Sequence, residues 1–212
     1  MTPLLCYVTD HHALAEPSLP AEHIALAVAA GIDWIQIREK DLSARELLAL
    51  VRGAVKAAAS SPEEIVTRII VNDRLDVALA AGAGGVHLGE TSLPVAAVNA
   101  WRRERDLYGF LIGASRHSAE AARAAENDGA DYIIFGPVFS TPSKEQYGAP
   151  QGINRLAEAS KAVKIPVLAI GGITEGNARE CFDAGAAGMA AIRMFSEARD
   201  LASLVGRLRA AR

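Results

Sequence analysis

Cysteine, aromatic side chains, long apolar runs and an excess of either charge are all scarce in this chain, and each scarcity removes a class of protein. Cys6 and Cys181 are the only cysteines in 212 residues, without CxxC spacing or a histidine at metal-binding spacing. Both read as small buried side chains in a reducing compartment. Lys and Arg number 22 against 25 Asp and Glu, a net charge of −3, so the basic surplus of a nucleic-acid binder is missing. No apolar run is long enough to span a membrane. The start, MTPLLCYVTD, lacks the basic and then apolar pattern of a signal peptide. A cytoplasmic protein is expected, with no membrane or nucleic-acid partner. Aromatics make up 5% of the chain while Ala and Gly abound, as expected where helices pack closely on a sheet. The length suffices for one domain with a sizeable core.

What is present has a rhythm. AAGIDWIQI, AAGAGGVHL, NDGADYIIF and DAGAAGMAAI share a helix end, a glycine (Gly31, Gly82, Gly129, Gly185) and a short apolar strand. The spacing of roughly 50 residues fits two strand–helix units. Gly just past a helix can take the left-handed conformation that closes it. Four more strands lie between: 4–9, 68–72, 110–114 and 166–170. Helix starts are marked by the capping box Ser43-x-x-Glu46, by Ser92-Leu93-Pro94 and by Thr174. Eight strands in strict alternation with helices predict an α/β fold, a (β/α)8 barrel over residues 1–212 in a single domain. A doubly wound open sheet is the alternative. No linker or low-complexity tract divides the chain.

A barrel of this kind carries its site at the C-terminal ends of the strands. In WIQIREK, Gln36, Arg38 and Lys40 fall at i, i+2 and i+4 and are expected to face the barrel axis. An Arg and a Lys there call for an anion, phosphate or pyrophosphate, or else for a structural layer of salt bridges. Gly171-Gly172 after strand seven is placed for a phosphate, or is a plain tight turn. The long loop from Gly136 to Gly152 contains Ser140, Thr141, Ser143 and Lys144, suited to an anion or a lid over one, or to a solvated surface. Asp73 either binds a hard cation or caps the next helix. His117 is either an acid–base group or an ordinary loop histidine. His11-His12 reads as a surface pair and His87 as a hydrogen-bonded interior residue.

IQIREK, VNDRLDVALAAGAGGVHLGE, GADYIIFGPVFSTPSK and IGGIT, in this order, resemble the thiamine phosphate synthase family, which includes the TenI-like thiazole tautomerases. The resemblance spans nearly the whole chain. It implies a (β/α)8 barrel that couples hydroxymethylpyrimidine pyrophosphate to thiazole phosphate and releases pyrophosphate with Mg²⁺. Gln36, Arg38, Lys40, Asn72, Ser115 and Lys144 fall where that family binds the pyrimidine pyrophosphate. Thr141, Ser143, Gly172 and Ile192 fall where it binds the thiazole phosphate. Asp73 matches one metal carboxylate. Arg38, Lys40 and Lys144 would stabilise the leaving pyrophosphate, and His117 is the acid–base candidate. Partners are therefore small phosphorylated substrates, with homo-oligomerisation left open.

Two departures bear on this expectation. HLGETS puts Ser92 where the synthases carry a second metal aspartate, which weakens the case for Mg²⁺, and Arg193 stands where they usually have Ser. Arg193 either adds charge for a phosphate or fills the pocket. The alternatives are a TenI-like tautomerase, to which the KEQYGAPQG segment and Ser115-Arg116-His117 are similar, and a phosphate-ligand-binding barrel without catalysis. A phosphate-handling isomerase or aldolase ranks below these.

Overall fold

Alternating side chains of short apolar strands need two buried faces, and closing the sheet provides both. In the computed structural model, which describes residues 2–14, 20–62, 66–141 and 149–211, eight parallel strands form one closed barrel in chain order. They are β1 (Leu4–Val8), β2 (Trp34–Ile37), β3 (Arg68–Asn72), β4 (Gly85–Leu88), β5 (Leu111–Arg116), β6 (Tyr132–Phe135), β7 (Val167–Ile170) and β8 (Gly188–Ala191). The helices are α1 (Pro20–Ala29), α2 (Ala44–Ala59), α3 (Leu75–Ala81), α4 (Val95–Glu104), α5 (Ala119–Asn127), α6 (Gly152–Ala162), α7 (Ala178–Asp183), α8 (Arg193–Ser196) and α9 (Leu201–Ala210). A 3₁₀ turn, His11–Ala13, follows β1. The closed barrel excludes the open-sheet alternative. No helix among the described residues is long and apolar enough to cross a membrane.

Two apolar sets follow from the alternation of the strands. The outward set, including Leu5, Tyr7, Ile35, Ile37, Ile112, Ile133 and Phe135, packs with the helix faces. The inward set, Cys6, Val8, Ile70, Tyr132, Ile134, Leu168 and Ala190, fills the barrel with Trp34 and Leu111 against it. Trp34 and Tyr132 meet with ring centroids 4.6 Å apart. Tyr132 fits because the residue beside it on β5 is Gly113, where an added Cβ would lie 2.0 Å from the ring. Both cysteines are free and buried, and burial pushes the Cys6 thiol up to about 12.

The four repeating glycines all take positive φ, between 70° and 100°. Ser43 and Glu46 form the expected capping box. Two expected caps are not made. The N-cap of α4 is Pro94, without a side-chain hydrogen bond, because the Ser92 hydroxyl is engaged elsewhere. At α7 the turn is fixed by Asn177, whose Oδ1 accepts from Thr174 N at 2.8 Å and whose Nδ2 donates to Gly172 O at 3.0 Å. Thr174 presents its backbone there, and its carbonyl accepts from Asn177 and Ala178.

Replacing Gly113 by Ala should force the Tyr132 ring from its slot. Overpacking of this kind costs about 1–3 kcal/mol, and a lowered urea midpoint with an unchanged slope would report it.

Candidate functional site

The plug formed by Trp34 and Tyr132 leaves the upper barrel for polar side chains. Above it lie Gln36 and Arg38 from β2 and the residue after it, Asn72 from β3, His87 from β4 and Ser115 from β5. They line one cavity of about 1210 Å³ together with His117, Ser140, Thr141, Gly171–Gly176 and Ile192–Met194. Gln36 is 2% exposed, and its Nε2 is buried with no hydrogen-bond partner among the described residues. An unsatisfied buried amide is costly, so this donor is suited to an acceptor on a bound molecule.

His87 is the centre of a polar line running up from the plug. Its Nδ1 lies 3.1 Å from the Tyr132 hydroxyl and its Nε2 lies 2.8 Å from Ser115 Oγ. Burial pushes its pKa down to about 3, and the positive charges of Arg116 and Arg38 add to this while Asp73 opposes it. The ring is therefore neutral and can orient the Ser115 hydroxyl without bringing charge. The expectation of an interior histidine holds, and its hydrogen bond to a cavity residue adds to it.

The expected polar face of β2 ends early. Gln36 and Arg38 line the cavity, whereas Lys40 is exposed and away from it. The strand ladder stops near Ile37, and Arg38 N donates to Thr9 Oγ1 at 3.0 Å rather than continuing a strand pair. Beyond that point two-residue alternation no longer fixes the side. Glu39 is the buried residue instead, 5% exposed. The sequence did not single it out.

Asp73 and Ser92 do meet. The Ser92 hydroxyl donates to Asp73 Oδ1 and accepts from Gly89 N at 2.6 Å, while Asn72 Nδ2 donates to Asp73 Oδ2 at 2.7 Å. Asp73 adopts φ 61°, a region unusual for a side-chain-bearing residue. Its carboxylate does not cap α3, which begins without a side-chain cap. Mg²⁺ commonly takes one or two carboxylates and fills its octahedron with water and substrate phosphate. One carboxylate and a neighbouring hydroxyl, next along the chain from the cavity-lining Asn72, fit that requirement with a single protein anion. Glu90 does not stand in for a second, because it turns to His117, with Oε1 3.8 Å from Nε2.

His117 Nδ1 donates to the carbonyl of Gly136, which leaves Nε2 turned toward Glu90. Gly136 and Pro137 are joined by a cis peptide. The long loop leaves β6 alongside β7, with Val138 N donating to Ile170 O and Phe139 N to Gly171 O. Gly171 and Gly172 have φ of 97° and 64°, and a Cβ on them would strike Pro137 at 2.5 Å and Ser140 O at 2.4 Å. The Gly pair thus admits the loop as well as lining the cavity. Ser143 and Lys144 lie outside the described residues. Ile192 and Arg193 line the cavity beside the Gly pair, as do Arg199 and Arg207, which the sequence did not single out. Arg207 is paired with Glu175 at 2.6 Å.

The site is thus one large cavity lined by polar and apolar side chains on a barrel of eight parallel strands, the architecture of a small-molecule enzyme. Residues 5–195 match the family model described as thiamine monophosphate synthase, and the chain belongs to that family. A protein of Geobacter sulfurreducens, to which the thiamine-phosphate synthase name is assigned provisionally, is 47% identical over 188 residues, 89% of this chain and 84% of its own. The thiamine-phosphate synthase of Chlorobium luteolum is 40% identical over 199 residues, 93% of this chain and 87% of that one. The solved thiamine phosphate pyrophosphorylase of Pyrococcus furiosus superimposes with a TM-score of 0.83 at 33% identity, covering 98% of this chain and 94% of its own.

The buried neutral His87 makes stability depend on pH with a definite sign. Unfolded, it takes a proton below about 6.5; folded, it resists protonation until about 3. Its contribution is intact above about 6.5 and is lost as pH falls toward 3, at up to about 1.4 kcal/mol per pH unit. Urea titrations between pH 7 and pH 5 should show this slope reduced in His87→Gln relative to the unsubstituted protein.

Proposed function

We propose that this chain is a thiamine-phosphate synthase, a transferase that joins hydroxymethylpyrimidine pyrophosphate to thiazole phosphate with release of pyrophosphate. The observation that carries the reading is one continuous cavity with two differently equipped ends. Gln36, Arg38, Asn72 and Ser115 line the end over the barrel axis. Gly171–Gly176 and Ile192–Arg193 line the end at β7 and β8. Its volume of about 1210 Å³ exceeds the ~300–1,000 Å³ usual for one drug-sized ligand. A reaction that needs two substrates side by side uses such a space.

In this reading the Gln36 amide recognises the pyrimidine ring, and Asn72 and Ser115 orient the group that carries its pyrophosphate. His87 holds the Ser115 hydroxyl in place. The bond from the methylene carbon to the pyrophosphate oxygen breaks, its electron pair leaving on oxygen, and the pyrimidine stabilises the resulting cation. Arg38 offsets charge growing on the departing oxygen, a task for which Lys144 is also proposed. The thiazole nitrogen then bonds to the methylene carbon. Its phosphate is held at the Gly171–Gly172 end, with Thr141, Ser143, Ile192 and Arg193 as the neighbouring proposed contacts.

Asp73, steadied by Asn72 and Ser92, would hold Mg²⁺, which when bound neutralises pyrophosphate oxygens. His117 is proposed as a polar wall of the chamber whose orientation is fixed by Gly136. Lys40, exposed in the structure, is the weakest of the proposed phosphate contacts. Absence of a membrane-crossing helix among the described residues suits a cytoplasmic setting for small phosphorylated substrates.

Purified protein given both substrates should release pyrophosphate in a Mg²⁺-dependent manner. Arg38→Met should lower kcat by about 10²–10³-fold, the cost of removing one preorganised donor to developing charge. Absence of release while thiazole phosphate still binds would overturn the assignment. A separate expectation concerns the metal: Ser92→Asp should reduce the Mg²⁺ concentration for half-maximal rate, and Asp73→Asn should raise it. Equal Mg²⁺ dependence in all three proteins would remove these residues from the metal site.

A further inference from the structure

A second polar cluster lies at the mouth of the cavity, built from the loops that follow β1 and β2. Asp10 caps the 3₁₀ turn His11–Ala13, with its side chain accepting from His12 N. The turn places the two imidazoles side by side, ring centroids 3.9 Å apart. Both rings present Nε2 to one oxygen, Asp41 Oδ2, at 3.3 Å from His11 and 3.1 Å from His12. Behind His11 stands the buried Glu39, whose Oε2 lies 2.7 Å from His11 Nδ1 and also accepts from His11 N at 3.1 Å.

This arrangement needs positive charge between its members. If His11 Nδ1 carries a proton toward Glu39, Nε2 of a neutral ring is a lone pair facing a carboxylate oxygen. Either a second proton on His11 or a cation must lie between them. The cluster also holds surplus negative charge: Glu39 Oε1 is buried with no hydrogen-bond partner among the described residues. A buried carboxylate without compensation is unfavourable.

The spacing fits a metal. Four-coordinate zinc with bonds of about 2.0–2.1 Å sets neighbouring ligand atoms roughly 3.3–3.4 Å apart, close to the two measured separations. His11 Nε2, His12 Nε2 and Asp41 form the one group of three such ligands among the described residues. The Glu39–His11 contact supplies the carboxylate behind a ligating imidazole that commonly orients it.

We propose that His11, His12 and Asp41 bind a divalent transition-metal ion of the zinc type, with Glu39 orienting His11. This site is distinct from Asp73, since imidazole nitrogens suit zinc and oxygen ligands suit Mg²⁺. The ion clips the loop after β1 to the loop after β2. His12 and Asp10 also line the cavity, so the clip sets one wall of the chamber.

The experiment is titration of the full chain with Zn²⁺ against a chromophoric competing chelator, followed by Co²⁺ substitution to read four-coordinate visible absorption. One equivalent should bind. His12→Ala and Asp41→Asn, both exposed positions, should each weaken binding tenfold or more with unchanged far-ultraviolet circular dichroism. Glu39→Gln should weaken it by about 10–100-fold, and Asp73→Asn should leave it unchanged. Failure to bind one equivalent would overturn the proposal and leave the cluster as an imidazolium–carboxylate ion pair. So would binding that survives both ligand substitutions, or binding that requires Asp73.

Discussion

Closure of the sheet is the constraint on which everything else depends. Once eight parallel strands join edge to edge, every second residue must point into a space of fixed width. The lower part of that space is filled by Trp34 and Tyr132, and the glycine at 113 is what lets Tyr132 enter. The upper part then cannot be packed shut, and the strands end there in polar groups. The cavity is a consequence of where the apolar filling stops. His87 bridges the two levels, bonded downward to Tyr132 and upward to Ser115. Because it is buried it stays neutral, so the chamber's charge comes from its other lining groups, Arg38 and the arginines near β8 together with the carboxylates Asp10, Glu175, Glu197 and Asp200.

Loop packing completes the chamber. Gly171 and Gly172 have no side chains for the loop after β6 to collide with, and that loop lies along β7 as an extension of the pairing. Asn177 holds the turn from Gly172 to Thr174 from behind. On the opposite side, Ser92 and Asn72 hold the two oxygens of Asp73. Ser92 thus fixes the Asp73 carboxylate by a hydrogen bond without placing a second negative charge beside it.

Much of this was legible from pattern. The repeated glycine before each even strand, the capping box at Ser43 and the inward parity of Gln36 and Arg38 are local properties, set by backbone conformation and by a period of two. Legibility failed where the local rule stopped applying. Lys40 was assigned by alternation to the axis, but the ladder ends before it. Glu39, which the sequence did not single out, is the buried carboxylate behind His11. Ser92 and Thr174 carry helix-capping side chains by type, yet Ser92 is drawn to Asp73 and Gly89, and Asn177 pins the turn at Thr174. His12 is exposed, as the surface reading of the tandem pair has it, but nothing in a dipeptide reveals the carboxylates of Glu39 and Asp41 that meet the two rings.

The sequence alone determined eight strands alternating with helices, the order of these elements and the end at which polar residues collect, because periodicity and glycine placement act over a few residues. The pairing of side chains from different loops was decided only by tertiary structure. Asp73 meets Ser92, His87 meets Tyr132 and Ser115, and His11 meets Glu39 because barrel closure brings strand ends together in space. Separation along the chain carries no trace of that distance, and burial then sets the charge state of whatever closure has placed inside.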